Sequence, residues 1–312
     1  QLRPLPGRLD ELLLLNDNNP ELITGEGVLL STFPANQGLN VALDGRFDLF
    51  SHHVYAGKPE ELASTLWLAV LAQPLGTQPV TLDVISGSTS LSQGTKPGQT
   101  AAPFLPLPSL MAETTTPIAS GPGSRVAGDL LRGEQAPELP KQIKIDPGHA
   151  SALLVLPIPV AGLDPLLNGR NLQLRLNSSA PVYVATVAAY GNNDTPPSDQ
   201  RWRALLSAGT RSPKEHQPTP RGSKGRMIYS RVSGVQIGST WTGSLHDPGS
   251  KTLNINAAPI SWPISSLERG DLGTAQVQTA ELKTFDKGTA WAAHGNYGVE
   301  YDLTLPLHNP EN

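Results

Sequence analysis

Chain breakers constrain this sequence more than any other feature. It carries 30 Gly and 30 Pro in 312 residues, about one breaker every five positions. Pro lacks the backbone donor a helix interior needs, and Gly loses the most conformational freedom on ordering. Long helices have no room between such breakers, whereas short strands and turns fit them. Only 16% of residues are charged, against ~25% in a typical soluble domain. Gly, Pro, Ser, Thr, Asn and Gln make up the difference. The net charge is −4 and no Lys/Arg block stands out, so the electrostatic footprint of a nucleic-acid binder is missing. Aromatics, at 5%, leave few platforms for stacking bases. The chain has no Cys, which excludes disulfide staples, a thiol nucleophile and Cys-bound metal. No apolar run, Leu12–Leu15 included, approaches the ~20 residues of a transmembrane helix. The sequence starts at Gln1 rather than Met, and removal of a signal peptide is the expected reason.

Alternation of apolar and polar residues marks the strands. Val80, Leu82 and Val84 point one way, and the apolar run Thr65–Ala72 precedes them across a turn at 73–78. Together they predict an antiparallel hairpin. Gln142–Ile145 and Ala152–Val160 flank a second turn signal, Asp146-Pro147-Gly148. Asn168-Gly169 matches a type I′ turn. Leu172, Leu174 and Leu176 alternate after it, and Ser178-Ser179-Ala180-Pro181 turns into Val182–Ala189. Later strands are expected at Met227–Val232, Ser239–Leu245, Thr252–Ile255, Ala275–Thr284 and Gly298–Leu307. One clear helix lies near 198–208: Ser198 is a good cap, Trp202, Leu205 and Leu206 fall at helical spacing, and Gly209 ends it. Ser124 offers a cap for a second short helix through Leu131.

These elements predict an all-β fold of two β-sandwich units, immunoglobulin-like or jelly-roll-like. Residues 1–24 would form an extended N-terminal arm, its apolar side chains lying on a neighbour. Residues 25–197 would form the first sandwich, 198–225 a helix and a basic Pro/Gly-rich linker, and 226–312 a second β domain. The linker charges, Arg211, Lys214, Arg221, Lys224 and Arg226, suit a solvated loop. Residues 301–312 begin like the 67–84 hairpin and stop where its second strand would start, so a β-rich continuation is expected. The stretch 86–120 is long for a loop and is expected to be functional or to cross the surface.

Candidate chemistry is sparse. His52 and His53 lie near Asp44 and Asp48, but adjacent strand residues face opposite ways, so one histidine at most can join a metal site. Glu300 and Asp302 share a strand face, roughly 6–7 Å apart, between the separations of retaining and inverting glycosidases. With His294 they form a candidate acidic site, although acidic pairs on exposed strands are common. Gly295 and Gly298 suit turns or a bulge. No Gly-x-Ser-x-Gly elbow, Walker loop, dinucleotide fingerprint or His-Glu-x-x-His occurs. Asn177-Ser178-Ser179 and Asn193-Asp194-Thr195 match the glycosylation sequon, a pattern frequent by chance. Trp241, Trp262 and Trp291 are candidates for stacking on sugar rings, weighed against their use as core.

Several strings resemble a family of secreted cyanobacterial proteins catalogued as a domain of unknown function. They are Arg3-Pro4-Leu5-Pro6-Gly7, Leu29-Leu30-Ser31-Thr32-Phe33-Pro34, Gly45-Arg46-Phe47-Asp48, Gly121-Pro122-Gly123-Ser124-Arg125-Val126, Leu156-Pro157-Ile158-Pro159-Val160 and Asn168-Gly169-Arg170. The strongest are Ser265-Ser266-Leu267-Glu268-Arg269-Gly270 and His294-Gly295-Asn296-Tyr297-Gly298-Val299-Glu300-Tyr301. The resemblance spans the chain, departs from the usual pattern at 86–111, and implies an exported protein without assigned catalytic residues. The expected function is a non-catalytic structural or interaction component of the cell envelope or an extracellular assembly. Its location would be the periplasm, the outer membrane surface or outside the cell. Its partners would be other envelope proteins or copies of itself. The alternative is a carbohydrate-binding protein of the envelope, followed by a glycan-active hydrolase using Glu300 or Asp302. No catalytic residue, cofactor, resident metal, nucleic acid or transmembrane segment is expected.

Overall fold

The computed structural model describes residues 1–34, 37–57, 64–93, 105–106, 119–192, 195–256 and 258–309. The chain opens with β1 (Arg8–Leu9), β2 (Leu13–Leu22), β3 (Gly27–Ser31), β4 (Leu43–Ala56), β5 (Ser64–Pro74) and β6 (Val80–Leu91). The short β7 (Leu105–Pro106) and β8 (Ala119–Ser120) precede α1 (Pro122–Leu131). Next come β9 (Gln142–Ile145), β10 (Ser151–Ile158), β11 (Leu167–Asn192) and α2 (Asp199–Ala208). The C-terminal segment holds β12 (Val232–Ile237), β13 (Thr240–Ser244), β14 (Leu253–Asn254), β15 (Leu282–Phe285), β16 (Glu300–Thr304) and β17 (Leu307–His308). The protein is all-β with two short helices, as its breaker density requires.

One ten-stranded sheet dominates, and it is folded over at a corner. β11 is 26 residues long, and its halves pair with different strands. Residues 167–178 lie between β4 and β6, and residues 182–192 between β5 and β3. The ladder to β4 breaks register between Ser178 and Val182. Neighbouring chains bend at the same place. β5 tracks β11 from Asn192 to Val182, residues 75–79 round the corner, and β6 continues from Ser178 to Arg170. One strand further out, β9 pairs with β6 and β10 with β5. Leu75 N donates to Pro181 O and Thr81 N to Ser179 Oγ, both at 2.9 Å, across the bend. Strands that switch layers in this way build orthogonally packed sheets.

The corner corrects three sequence expectations. β5 and β6 do not pair with each other, so residues 64–85 are no hairpin. β9 and β10 likewise part to opposite layers, and Ser178–Pro181 bends one continuous strand rather than reversing it. The physical reason is common to all three. Gly, Pro and Ser permit a sharp change of direction, and inward alternation is the same whether the chain doubles back or crosses to the facing layer. Asn168-Gly169 is also strand rather than turn. Asn168 Oδ1 accepts from Gln93 N at 2.9 Å and Ser92 Oγ at 3.0 Å.

The core lies between the layers. Leu15, Phe47, Leu49 and Leu174 meet Val70, Ala72, Leu154 and Val184, all buried. Each buried Val, Leu or Phe among them contributes about 1.5–3 kcal/mol. α2 covers the outer face of the second layer with Trp202 and Leu206, against Trp67, Ala69 and Val187. Ser198 Oγ accepts from Arg201 N at 3.3 Å, and Gly209 is left-handed with φ 64°, so both expected caps are in place. α1 starts earlier than expected: its N-cap is Gly121 with Pro122 in the first turn, and Ser124 lies inside the helix.

The N-terminal segment does not project as an arm. β2 runs parallel to β4 and antiparallel to β12, and it buries Leu14 and Leu15 completely within its own chain. β12 and β15 extend the same sheet, so strands expected in two separate units share one. A small sheet, β1–β13–β16, stands apart from it. Residues 94–104 and 107–118 of the expected surface excursion, and Asn193-Asp194 of one sequon, lie outside the described residues.

Candidate functional site

Residues 218–229, after α2, and 267–294, around β15, enclose a groove of about 450 Å³. That volume is in the range of small-ligand sites, ~300–1,000 Å³. Ile228, Tyr229, Val277 and Phe285 line it and are 44%, 45%, 52% and 40% exposed. Met227, Trp291 and His294 complete the wall, and Arg221, Glu268, Arg269 and Glu281 stand around it. The charges are largely paired. Arg221 meets Glu268 at 2.9 Å and places its guanidinium 5.0 Å from the Trp291 ring centre. Arg269 donates to Gly225 O. The Tyr229 and His294 rings meet edge to face at 4.3 Å. His294 Nε2 donates to Ser230 O at 2.9 Å. Burial lowers the His294 pKa, although that hydrogen bond and the charge of Glu21 oppose the shift.

Behind the groove the backbone is irregular and its polar groups are met by side chains. Asn296 Nδ2 donates to Gln278 O at 2.8 Å and Tyr301 Oη at 2.7 Å, while Asn296 Oδ1 accepts from Ala280 N at 2.9 Å. Gln276 clamps Leu5, accepting from its N–H at 2.8 Å and donating to its carbonyl at 2.7 Å. These braces satisfy buried groups where no ladder does.

The sequence candidates fall in different places. Trp241 is 6% exposed, donates Nε1–H to Pro6 O at 3.0 Å and packs with Leu5, Leu245 and Tyr301. Trp262 is half-buried against the same cluster, with Arg3 over its ring at 5.9 Å. Trp291 alone of the three lines the groove. His294 lines it too, but Glu300 pairs with Arg175 on β11, and Asp302 is exposed on β16. No hydrogen bond joins His294 to either carboxylate among the described residues. The histidine pair also divides, as strand geometry requires. His53 Nε2 donates to Asp17 Oδ2 at 2.8 Å, fully buried, and His52 Nδ1 meets Asn171 Oδ1. Asp48 is paired with Arg46, and Asp44 is exposed.

The basic 210–225 stretch is more than a solvated loop. Arg211 reaches Asp286 at 2.6 Å, and its neighbour Ser212 donates Oγ–H to Gly25 O at 2.9 Å. This packing carries Met227–Tyr229 to the groove. Sequence reasoning missed Tyr229, Val277 and Phe285. The available signal was apolar residues, Ile228-Tyr229 and Val277, set among Gly, Pro and polar neighbours.

Fold and surface thus define an all-β protein whose cornered sheet carries a braced, partly apolar groove. Among the described residues no helix is long and apolar enough to cross a membrane. The chain belongs to the family described as Protein of unknown function (DUF3370), which matches residues 1–312. No curated protein and no solved structure matches it.

Proposed function

We propose that this protein is a non-catalytic interaction component of the bacterial cell envelope or an extracellular assembly. Its partner, a second copy or another envelope protein, docks on the face built by residues 226–312. One observation carries the reading. Of 15 large exposed hydrophobics among the described residues, 11 lie in this segment, little more than a quarter of the chain. Four of them, Ile228, Tyr229, Val277 and Phe285, line one groove, and apolar exposure gathered in one place marks an interaction surface, whereas single exposed hydrophobics need no explanation. Export and envelope location rest on the low charge and the family resemblance. Light scattering over a concentration series, with cross-linking in native envelope preparations, tests the reading. Self-association, or a cross-linked partner, that is lost in the Tyr229→Glu/Phe285→Glu variant is expected. A monomer whose cross-linking pattern the charged variant leaves unchanged would refute it.

A second reading has its own observation. Trp291 and Tyr229, which line the groove with Thr219, Glu268, Thr279 and Glu281, offer aromatic surface with hydrogen-bonding groups for a polysaccharide. It predicts quenching of tryptophan fluorescence by envelope glycans that Trp291→Ala abolishes, and flat titrations across a glycan panel reject it. A hydrolase built on Glu300 gains nothing from its contacts, because Arg175 already engages that carboxylate.

A further inference from the structure

Glu21, Glu215 and His216 bring three metal-ligating side chains together, and none of them lines the groove. One donor atom from each lies within 4.8 Å of the other two. Backbone amides hold the carboxylates from behind. Glu215 N donates to Glu21 Oε2 at 2.8 Å, and Leu22 N donates to Glu215 Oε2 at 2.7 Å. His216 is fixed through its own carbonyl, which accepts from Ser230 Oγ at 2.8 Å.

An independent observation points to a ligand. Glu21 is 6% exposed, and its Oε1 is buried with no hydrogen bond reaching it. A buried carboxylate oxygen left without a donor is costly. His216 Nδ1 stands 3.4 Å from that oxygen, longer than the usual hydrogen bond. The separation equals the ~3.4 Å edge of a tetrahedron whose ligands sit about 2.1 Å from a central ion.

We propose that Glu21, Glu215 and His216 form a Zn²⁺ site. An imidazole nitrogen with two carboxylate oxygens suits this ion, and water completes the coordination, since Glu215 and His216 are exposed. Lys214 and the buried Arg231 lie close to Glu21, and they offset part of its charge in the metal-free chain. That tempers affinity relative to an all-anionic cage. Bound there, the ion ties β2 to the stretch that enters the groove wall at Pro218.

Isothermal titration of Zn²⁺ into the chelator-stripped full chain tests the site. One ion per chain is expected, with affinity falling about tenfold or more in His216→Ala and in Glu215→Gln. Both positions are exposed, so the variants fold. His246→Ala, at an exposed histidine elsewhere, keeps full affinity. Zn²⁺ raises Tm in the unmodified chain but not in His216→Ala. No binding to the unmodified chain, or undiminished binding in His216→Ala, overturns the proposal.

Discussion

Asp17→Ala is the sharpest test of how this sheet is held. Asp17 on β2 and His53 on β4 are both fully buried and meet at 2.8 Å. Ser51 Oγ donates to the same carboxylate oxygen at 3.0 Å. Burial alone drives the Asp17 carboxyl upward. The charge of His53 and hydrogen bonds from His53, Thr186 and Ser51 outweigh it and hold Asp17 below the usual carboxylate range. Truncation strands the His53 N–H and the Ser51 hydroxyl in a dry interior. It also removes one of the carboxylates facing the buried Arg231. Losing one partner of a buried ion pair costs about 3–5 kcal/mol, a large share of a native stability of about 5–15 kcal/mol. The expected fall in Tm is about 5–8 °C, with a matching drop in the urea midpoint followed by far-UV circular dichroism. His53→Ala should cost a comparable amount. The double variant should lose less than the two separate losses combined, by about 0.5–3 kcal/mol. A loss under about 1 kcal/mol with additive variants would refute the reasoning, because it would mean that water reaches the pair.

The same carboxylate sets an acid limb. A folded pKa below the unfolded one gives stability that is present above the ordinary carboxylate range and lost as pH falls through the folded value. Between about pH 5 and pH 2, the stability gap between the unmodified chain and Asp17→Asn should therefore narrow; a constant gap in urea midpoints counts against it. Trp202 is 1% exposed, so Trp202→Ala should cost about 3–5 kcal/mol by denaturant unfolding, and a change below half of that would mean α2 is not essential cover. Gly7 has φ 105°, and a Cβ there would sit 2.1 Å from Thr242 O. Gly7→Ala should cost about 1–3 kcal/mol and speed amide exchange in β13, whereas unchanged exchange would mean that β1 adds nothing there. Tyr229→Ala, at an exposed position, should leave stability within about 0.5 kcal/mol while weakening partner capture.

What the sequence disclosed was local. The caps at Ser198 and Gly209, and the inward faces of Val80, Leu82 and Val84 and of Leu172, Leu174 and Leu176, lie within a few residues of the signals that announce them. What it withheld was pairing. Asn16 Nδ2 donates to Gln236 Oε1 at 2.7 Å across 220 positions, and nothing near residue 16 reveals that partner. Asn16, Asp17, Asn18 and Asn19 look like a surface turn by composition. Each is buried, because β4 and β12 flank β2 on either side. The tryptophans failed as markers for a related reason. Trp241 has polar neighbours, Thr240 and Thr242, and Trp291 apolar ones, Ala290 and Ala292, yet the packing of Leu5, Leu245 and Tyr301 around Trp241 makes it the core residue and Trp291 the groove residue.

The C-terminal segment is where regular structure ends and apolar exposure begins, and the two facts are linked. Short strands cannot bury both faces of a segment whose backbone must be satisfied piecemeal by Asn296, Gln278 and Gln276. Those amides spend most of their hydrogen bonds on the main chain. The aliphatic and aromatic side chains between them, Val277 and Tyr297 among others, are left outward. A surface fixed from behind loses little conformational freedom when something binds to it. A loose loop carrying the same residues would have to be ordered first, at roughly 0.5–1.5 kcal/mol for each immobilised side chain. Bracing of this kind favours the interaction reading over a purely structural use of the same residues. A segment needed only for stability would gain more by turning Ile228, Tyr229 and Phe285 inward than by leaving them in water.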